Sequence, residues 1–198
     1  MKENWLFIKT PDYYGKPEII QINEDVIHYF DVEKNDEICL IKFENRNKKL
    51  NETEHKFVNQ NRIRFFINGK IHKVFDDEKS ITEDYIFEKD YEKLKATETE
   101  LTETEIQNLK FEFNWNGEKK NLSFNEILDS PVIQEINKRL NKSGSRIVLE
   151  KLNETLFVSL YTDNYLDKLI PIKYVDKQKM ILYGFPKEPY EINCPIIE

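Results

Sequence analysis

The chain has 198 residues, 39% apolar and 13% aromatic with 13 Phe and 10 Tyr, which is enough bulky surface to exclude wholesale disorder. Thirty basic residues against 37 acidic ones give a net charge of −7. That balance favours solubility and repels phosphate, so neither nucleic acid nor an anionic membrane is an expected partner.

The N-terminus, Met1-Lys2-Glu3-Asn4-Trp5, runs directly into patterned sequence without the apolar stretch of a signal peptide. As given, the chain is expected in the cytoplasm; a signal peptide removed ahead of Met1 would move it to the periplasm or outside the cell. No apolar run approaches the ~18 residues of a spanning helix. The abundance of Lys, Asn, Ile and Glu points to an AT-rich bacterial genome, and Asn51, Asn121, Asn141 and Asn153 then sit in glycosylation sequons by chance.

In chain order, strand-like runs occupy Trp5 to Lys9, Glu18 to Ile22, Val26 to Val32 and Glu37 to Phe43. Pro11-Asp12-Tyr13-Tyr14-Gly15-Lys16-Pro17 is a turn-rich loop between the first two. Its tyrosines, Tyr13 and Tyr14, are candidate surface contacts, since Tyr offers large area at low entropic cost; the alternative is that they fold back over the end of a barrel.

Arg62 to Ile67 and Lys70 to Phe75 flank Asn68-Gly69, and Asn-Gly supplies the positive φ of a type I′ turn, so a two-residue hairpin is expected there. It would place His72 on the apolar face beside Phe65. Tyr85 to Glu88 and Tyr91 to Lys95 complete about eight short strands. Thr97 to Glu105 is a charged, low-complexity run that reads as a linker or exposed connection, with one helical turn at the capping pattern Thr102-x-x-Glu105.

Phe111 to Trp115 and Glu118 to Leu122 flank a second Asn-Gly, Asn116-Gly117, with Phe111, Phe113 and Trp115 on one face expected to be buried. Ser123-Phe124-Asn125-Glu126 has a capping-box pattern, which predicts a short helical turn at about 124 to 128. Ser130-Pro131 then starts a helix over about 131 to 141, with Val132, Ile133, Ile136 and Leu140 at helical spacing. Two further hairpins follow, turning at Asn153-Glu154 and Asp176-Lys177, and Pro186, Pro189 and Pro195 predict an irregular tail.

Trp5 on a first strand, Ile20-Gln21-Ile22-Asn23-Glu24-Asp25-Val26-Ile27 on a second, and a closing Tyr91-Glu92-Lys93-Leu94-Lys95-Ala96-Thr97 together resemble the lipocalin-like, or calycin-like, proteins of environmental bacteria, although Asn4 stands where that family usually has a glycine. The resemblance covers residues 4 to 97 and implies an up-and-down β-barrel that holds an apolar ligand, with no catalytic residues to carry over.

The expected fold is therefore mainly β: a barrel-like part over 1–97, a charged connection over 98–108, and over 109–198 an α+β part of three hairpins and one helix that either stands alone or shares the first core. No nucleophile elbow, P-loop or dinucleotide fingerprint occurs, so no cofactor and no catalytic residue is expected. His28, His55 and His72 lack the spacing of a local metal pair. Cys39, in the apolar strand Ile38-Cys39-Leu40-Ile41, reads as a small buried hydrophobe, and with Cys194 as one of two unpaired thiols.

Two functional readings stand side by side. In one, Trp5, Phe30, Phe65, His72 and Phe87 line a barrel that holds a small apolar ligand. In the other, the chain is an acidic interaction module, such as an immunity or inhibitor protein for a basic toxin.

Overall fold

A computed structural model describes residues 3–7, 19–34, 39–74, 80–115, 117–163, 165–184 and 190–197. Within them the chain is mainly β, as expected, and forms two seven-stranded antiparallel sheets. The first contains β1 (Glu3–Phe7), β2 (Ile19–Asn23), β3 (Val26–Lys34), β4 (Cys39–Lys49), β5 (His55–Asn59), β6 (Arg62–Val74) and β7 (Ser80–Lys93), in the order β4-β3-β2-β1-β7-β6-β5.

Neighbours in that order are antiparallel throughout, so the two edge strands, β4 and β5, run in the same direction. Only residues 50–54 separate them, beginning with a 3-10 turn over Leu50–Glu52. A link this short requires the edges to approach each other, and the sheet curls into a half-barrel. Period-two alternation sends Trp5, Ile20, Ile27, Ile63, Phe65 and Tyr91 to its concave face, where they form one buried cluster. Phe57 on the edge strand β5 has its ring centre 6.3 Å from that of Trp5 on β1, a contact across the concave side of the curl.

The second sheet contains β8 (Lys110–Trp115), β9 (Glu118–Ser123), β10 (Ser145–Leu152), β11 (Thr155–Thr162), β12 (Tyr165–Val175), β13 (Lys179–Gly184) and β14 (Tyr190–Ile197), in the order β10-β11-β12-β13-β14-β8-β9. Its edges are tied by the segment after β9, where Asn125 N–H donates to Ile147 O (2.7 Å) and Leu128 N–H to Ser145 O (2.8 Å). Phe111, Leu122, Phe124, Ile147, Val158, Ile172, Met180 and Leu182 fill this sheet's core. Both sheets share one cyclic design: the last strand pairs with the first, β7 with β1 and β14 with β8.

Several expectations hold. The hairpin at Asn116-Gly117 forms, with Trp115 opposite Glu118 and Gly117 at φ 85°, and Phe111 is buried; Asn116 and the Trp115 side chain lie outside the described residues. Hairpins turn at Asn153, at φ 54°, and at Asp176, whose carboxylate accepts from Gln178 and Lys179 N–H. Helix α2 spans Pro131–Arg139 with Ser130 as its cap.

Four expectations are corrected. Asn68-Gly69 is no turn: β6 continues through it, with Asn68 opposite Ile86 and Gly69 opposite Tyr85 on one unbroken β7. The full-length partner strand outweighs the local turn preference, because it pairs all of β6 and matches its charges. His72 consequently stands opposite Thr82, seven positions along the strand from Phe65, and is not its neighbour. No helical turn forms at 124–128; Glu126 does reach back to Ser123 N–H (3.0 Å), but Asn125 takes φ 64° and the chain is drawn onto β10.

Of the expected irregular tail, Tyr190–Ile197 is instead β14, paired along β13 from Lys179↔Pro195 to Gly184↔Tyr190, while Pro186 and Pro189 lie outside the described residues. Ile196 N–H bonds Gln178 on the β13 side, so by alternation the missing N–H of Pro195 faces β8, where the ladder is only two pairs long.

The charged run is an exposed connection whose start is anchored to the second sheet. Thr97 Oγ1 donates to Ile172 O (2.7 Å) and accepts from Leu156 N–H (2.8 Å), and Glu98 N–H donates to Lys173 O (2.9 Å). This seam lies where β11 and β12 diverge beyond Phe157↔Pro171. Helix α1 (Glu103–Gln107) then opens on the full Thr102–Glu105 capping box and buries Ile106 completely. Ile19, Leu94, Leu152, Phe157, Tyr161 and Leu169 pack into a cluster that joins the two sheets.

Candidate interaction surface

The β6–β7 pair is the longest ladder among the described residues, running from Arg62↔Glu92 to Val74↔Ser80. Among the described residues its other neighbours pair with its base alone: the pairs of β5 run to His55↔Phe65 and those of β1 to Phe7↔Tyr91. Beyond that point the pair continues as a two-stranded arm. Its faces follow from the pleat.

Even-numbered positions form the convex face and carry complementary charge. Arg64 holds Asp90 with both Nε (2.6 Å) and Nη2 (2.8 Å) and also meets Glu88, and Arg62 Nε meets Glu92 (2.9 Å). The Asp90 hydrogen bond, against some burial, holds the Arg64 guanidinium above its ordinary pKa.

Odd-numbered positions continue the concave, core-bearing face outward. Ile63, Phe65 and Tyr91 are buried, and further along the same face Ile67 (40% exposed), Ile81 (49%), Tyr85 (50%) and Phe87 (39%) are not. Phe87 stacks edge-on to Tyr85 at 4.9 Å and lies across Gly69, where a Cβ would fall 2.8 Å from its Cδ2. Gly69 is thus explained by ring packing in a strand, with no positive φ required. Beyond Lys89 the charged residues on this face are Lys73 and Glu83, which pair with each other at 2.5 Å.

Helix α2 presents a second apolar surface. Its polar side is tied down: Gln134 Nε2 donates to Asp129 O (2.7 Å), and Asn137 Nδ2 donates to Asp129 Oδ2 (2.9 Å), which also accepts from Ser145 N–H. The stripe of Val132, Ile133, Ile136 and Leu140 is left outward, with Val132 69% and Leu140 61% exposed and no residue of the helix buried. A helix held by its polar side and open on its apolar side reverses the usual amphipathic arrangement. The recess of about 520 Å³ beside it is lined by Ile127, Asp129, Pro131, Gln134, Asn137 and Lys138 among others.

The residues singled out from the sequence do not all meet. Trp5 and Phe65 share the buried concave cluster, whereas Phe87 stands apart on the arm. The side chains of Phe30 and His72, and Tyr13 and Tyr14 entirely, lie outside the described residues. His55, which sequence reasoning did not select, packs at 5.9 Å from Phe65 and bonds Thr53 O through Nδ1 (2.8 Å).

Two buried titratable groups complete the inventory. Glu150 lies on β10 beside Tyr161, whose hydroxyl donates to Oε1 at 2.6 Å; burial pushes this carboxyl above the ordinary range, against the opposing pull of Ser159, Tyr161 and Arg146. Burial likewise pushes the free Cys194 thiol up to about 12, which leaves it un-ionised and unreactive. Among the described residues no three His, Cys, Asp or Glu side chains gather as metal ligands, and no helix is long and apolar enough to cross a membrane.

No protein-family model and no curated protein matches this chain.

Proposed function

We propose that this chain is a non-enzymatic protein-interaction module that engages its partner through the apolar face of the β6–β7 arm. The observation that carries the reading is the half-exposed row Ile67, Ile81, Tyr85 and Phe87, which continues a core face outward along β6 and β7 past the described pairs of β5 and β1. A contiguous aromatic and aliphatic face rimmed by paired charges is the usual composition of an interface centre. The reading of the half-barrel as a holder of a small apolar ligand, with its lipocalin-like resemblance, has less support, because Trp5 and Phe65 are packed against Ile20, Ile27, Ile63 and Tyr91.

Native mass spectrometry of protein purified from its own host, followed by denaturation, tests the choice. A mass corresponding to a bound protein or a second chain, present in the natural sequence and absent in Phe87→Glu, is the expected result. Release of a reproducible small molecule, unaffected by Phe87→Glu, would overturn it in favour of the ligand-holding barrel.

A further inference from the structure

We infer that the partner engages the arm by strand addition: an extended segment of another protein, apolar on one side and acidic on the other, pairs with the edge of β6 from Asn68 outward and lays its apolar side chains beside Ile67. This rests on the interaction reading above and adds the partner's conformation and chemistry.

The hydrogen-bond parity of the arm exposes this edge. Lys93 N–H donates to Asn61 O (2.8 Å), and the register then runs without a shift from Arg62↔Glu92 to Val74↔Ser80. Bonded pairs alternate along an antiparallel ladder, so odd-numbered residues of β6 exchange bonds with β7 and even-numbered ones point away from it. Phe66 N–H accordingly donates to Glu54 O (2.9 Å) on the β5 side. Among the described residues no strand pairs with that side of β6 beyond Phe66. Asn68 and Lys70, both exposed, therefore turn their N–H and C=O groups toward the line that β5 has left. A row of edge donors and acceptors beside an apolar face is the geometry that takes up an extended strand.

The flanking side chains define the occupant, because an added strand follows the pleat of β6. On the concave face its residues lie beside Ile67 and the half-buried Ile71, with Phe87 beyond them, and those positions call for aliphatic or aromatic side chains. On the convex face β6 is the basic member of its pair. Glu92 and Asp90 hold Arg62 and Arg64 closely, whereas Lys70 reaches Asp84 only at 4.0 Å with both side chains largely exposed, and Lys56 lies over the Phe66 ring at the base of the edge. Asp or Glu at the convex positions of the incoming strand meets Lys56 and Lys70 as Asp84, Asp90 and Glu92 meet β6 from its other side. The β6 edge of a second copy brings Lys70 again and supplies no acid, so the complementary strand belongs to a different protein.

The probe is a short blocked peptide alternating valine with aspartate, titrated into the isotopically labelled full chain, with a peptide carrying lysine in place of aspartate as its counterpart. The acidic peptide should slow amide exchange at Asn68 and Lys70 and leave Gly69 and Ile71, already bonded to β7, unchanged. The lysine peptide should bind about tenfold more weakly or worse. Asn68→Pro removes an outward N–H and leaves the ladder to β7 intact, so it should weaken the acidic peptide about tenfold, with a melting midpoint within about 4 °C of the parent. Lys70→Glu should reverse the preference between the two peptides. Should Asn68→Pro melt far below the parent, the alternation of exchange protection in the natural chain decides the matter.

Protection gained at odd and even positions alike, no protection at any concentration of the acidic peptide, or equal binding of the two peptides would each overturn strand addition by an acidic segment. Sedimentation velocity showing a dimer of the natural chain that Asn68→Pro abolishes would also overturn it and make the occupant a second copy. If strand addition fails while Phe87→Glu still removes a bound protein from the host-purified sample, the interaction reading stands. If neither the edge nor Phe87 matters to any association, both fall.

Discussion

Two glycines, each following an asparagine in the sequence, give the sharpest check of the architecture. Gly117 has φ 85° with no atom within 4 Å of a Cβ, so Gly117→Ala meets only the left-handed backbone penalty. That penalty is about 1–2 kcal/mol, and the lower entropy of the unfolded chain returns about 0.4–1 kcal/mol, leaving a net loss near 1 kcal/mol. Gly69 lies in mid-strand, and its obstacle is the Phe87 ring. In a Phe87→Ala background that obstacle is gone, and adding Gly69→Ala should stabilise by about 0.4–1 kcal/mol through the unfolded state alone.

Thermal unfolding followed by circular dichroism at low micromolar concentration, where association contributes little, reads both. At this chain length 1 kcal/mol corresponds to about 2–4 °C, so the two substitutions should move the midpoint in opposite directions. If Gly69→Ala in the Phe87→Ala background lowers the midpoint as Gly117→Ala does, residue 69 needs a positive φ. The continuous β6, and with it the arm, would then be wrong.

Thr97→Val should cost about 2 kcal/mol in urea unfolding, because it strands Leu156 N–H and Ile172 C=O at the seam between β11 and β12; a loss below a few tenths would mean that the seam is not formed in solution. Ser130→Ala removes the α2 cap and should cost about 0.5–1 kcal/mol, seen as faster amide exchange confined to α2. Val132→Lys together with Leu140→Lys should leave the melting midpoint within about 2 °C, since both side chains are already exposed; a large drop would show that the stripe is buried. Glu150 has its folded pKa raised by burial, so its contribution is fully present below the ordinary carboxylate range and is lost as pH rises through the raised value. Glu150→Gln should therefore flatten stability against pH on the alkaline side of that range, and a variant with the parent's pH slope would refute the assignment.

Much of the second sheet was legible because its punctuation is local. Asn116-Gly117, Asn153 and Asp176 each set a turn by their own backbone or side-chain chemistry, and Ser130-Pro131 fixes where α2 begins. The failures share a cause, since in each a distant partner decided against a local signal. Asn68-Gly69 looks like Asn116-Gly117, and only the match between Arg62, Arg64 and Lys70 on β6 and Glu92, Asp90 and Asp84 at mirrored positions on β7 shows that the chain runs straight through. That charge pattern was available in the sequence. Glu126 carries out half of a capping box without a helix, because bonds to Ile147 and Ser145 hold the segment against β10, and Pro195 marks no loop, because its missing N–H faces the side where β14 is scarcely paired.

The candidate surface was harder to see for a reason intrinsic to period-two sequence. Along β6, Ile63, Phe65, Ile67 and Ile71 share one face, as Ile81, Tyr85, Phe87 and Tyr91 do along β7, yet Ile63 and Tyr91 are buried while Ile81 and Tyr85 are half exposed. Alternation reports which face a residue occupies and says nothing of whether another layer covers that face. Coverage depends on the neighbours: among the described residues β5 and β1 pair only near the base of the arm, and the same alternation therefore means core on one side of Phe65 and exposed surface on the other. The α2 stripe obeys the same logic at a period of 3.6, because the bonds from Gln134 and Asn137 to Asp129 fix which side of the helix meets the body, and they fix the polar one. An apolar pattern that the chain's own topology leaves uncovered is the physical form in which an interface is written into a sequence, and it becomes readable only once the ends of the adjoining strands are known.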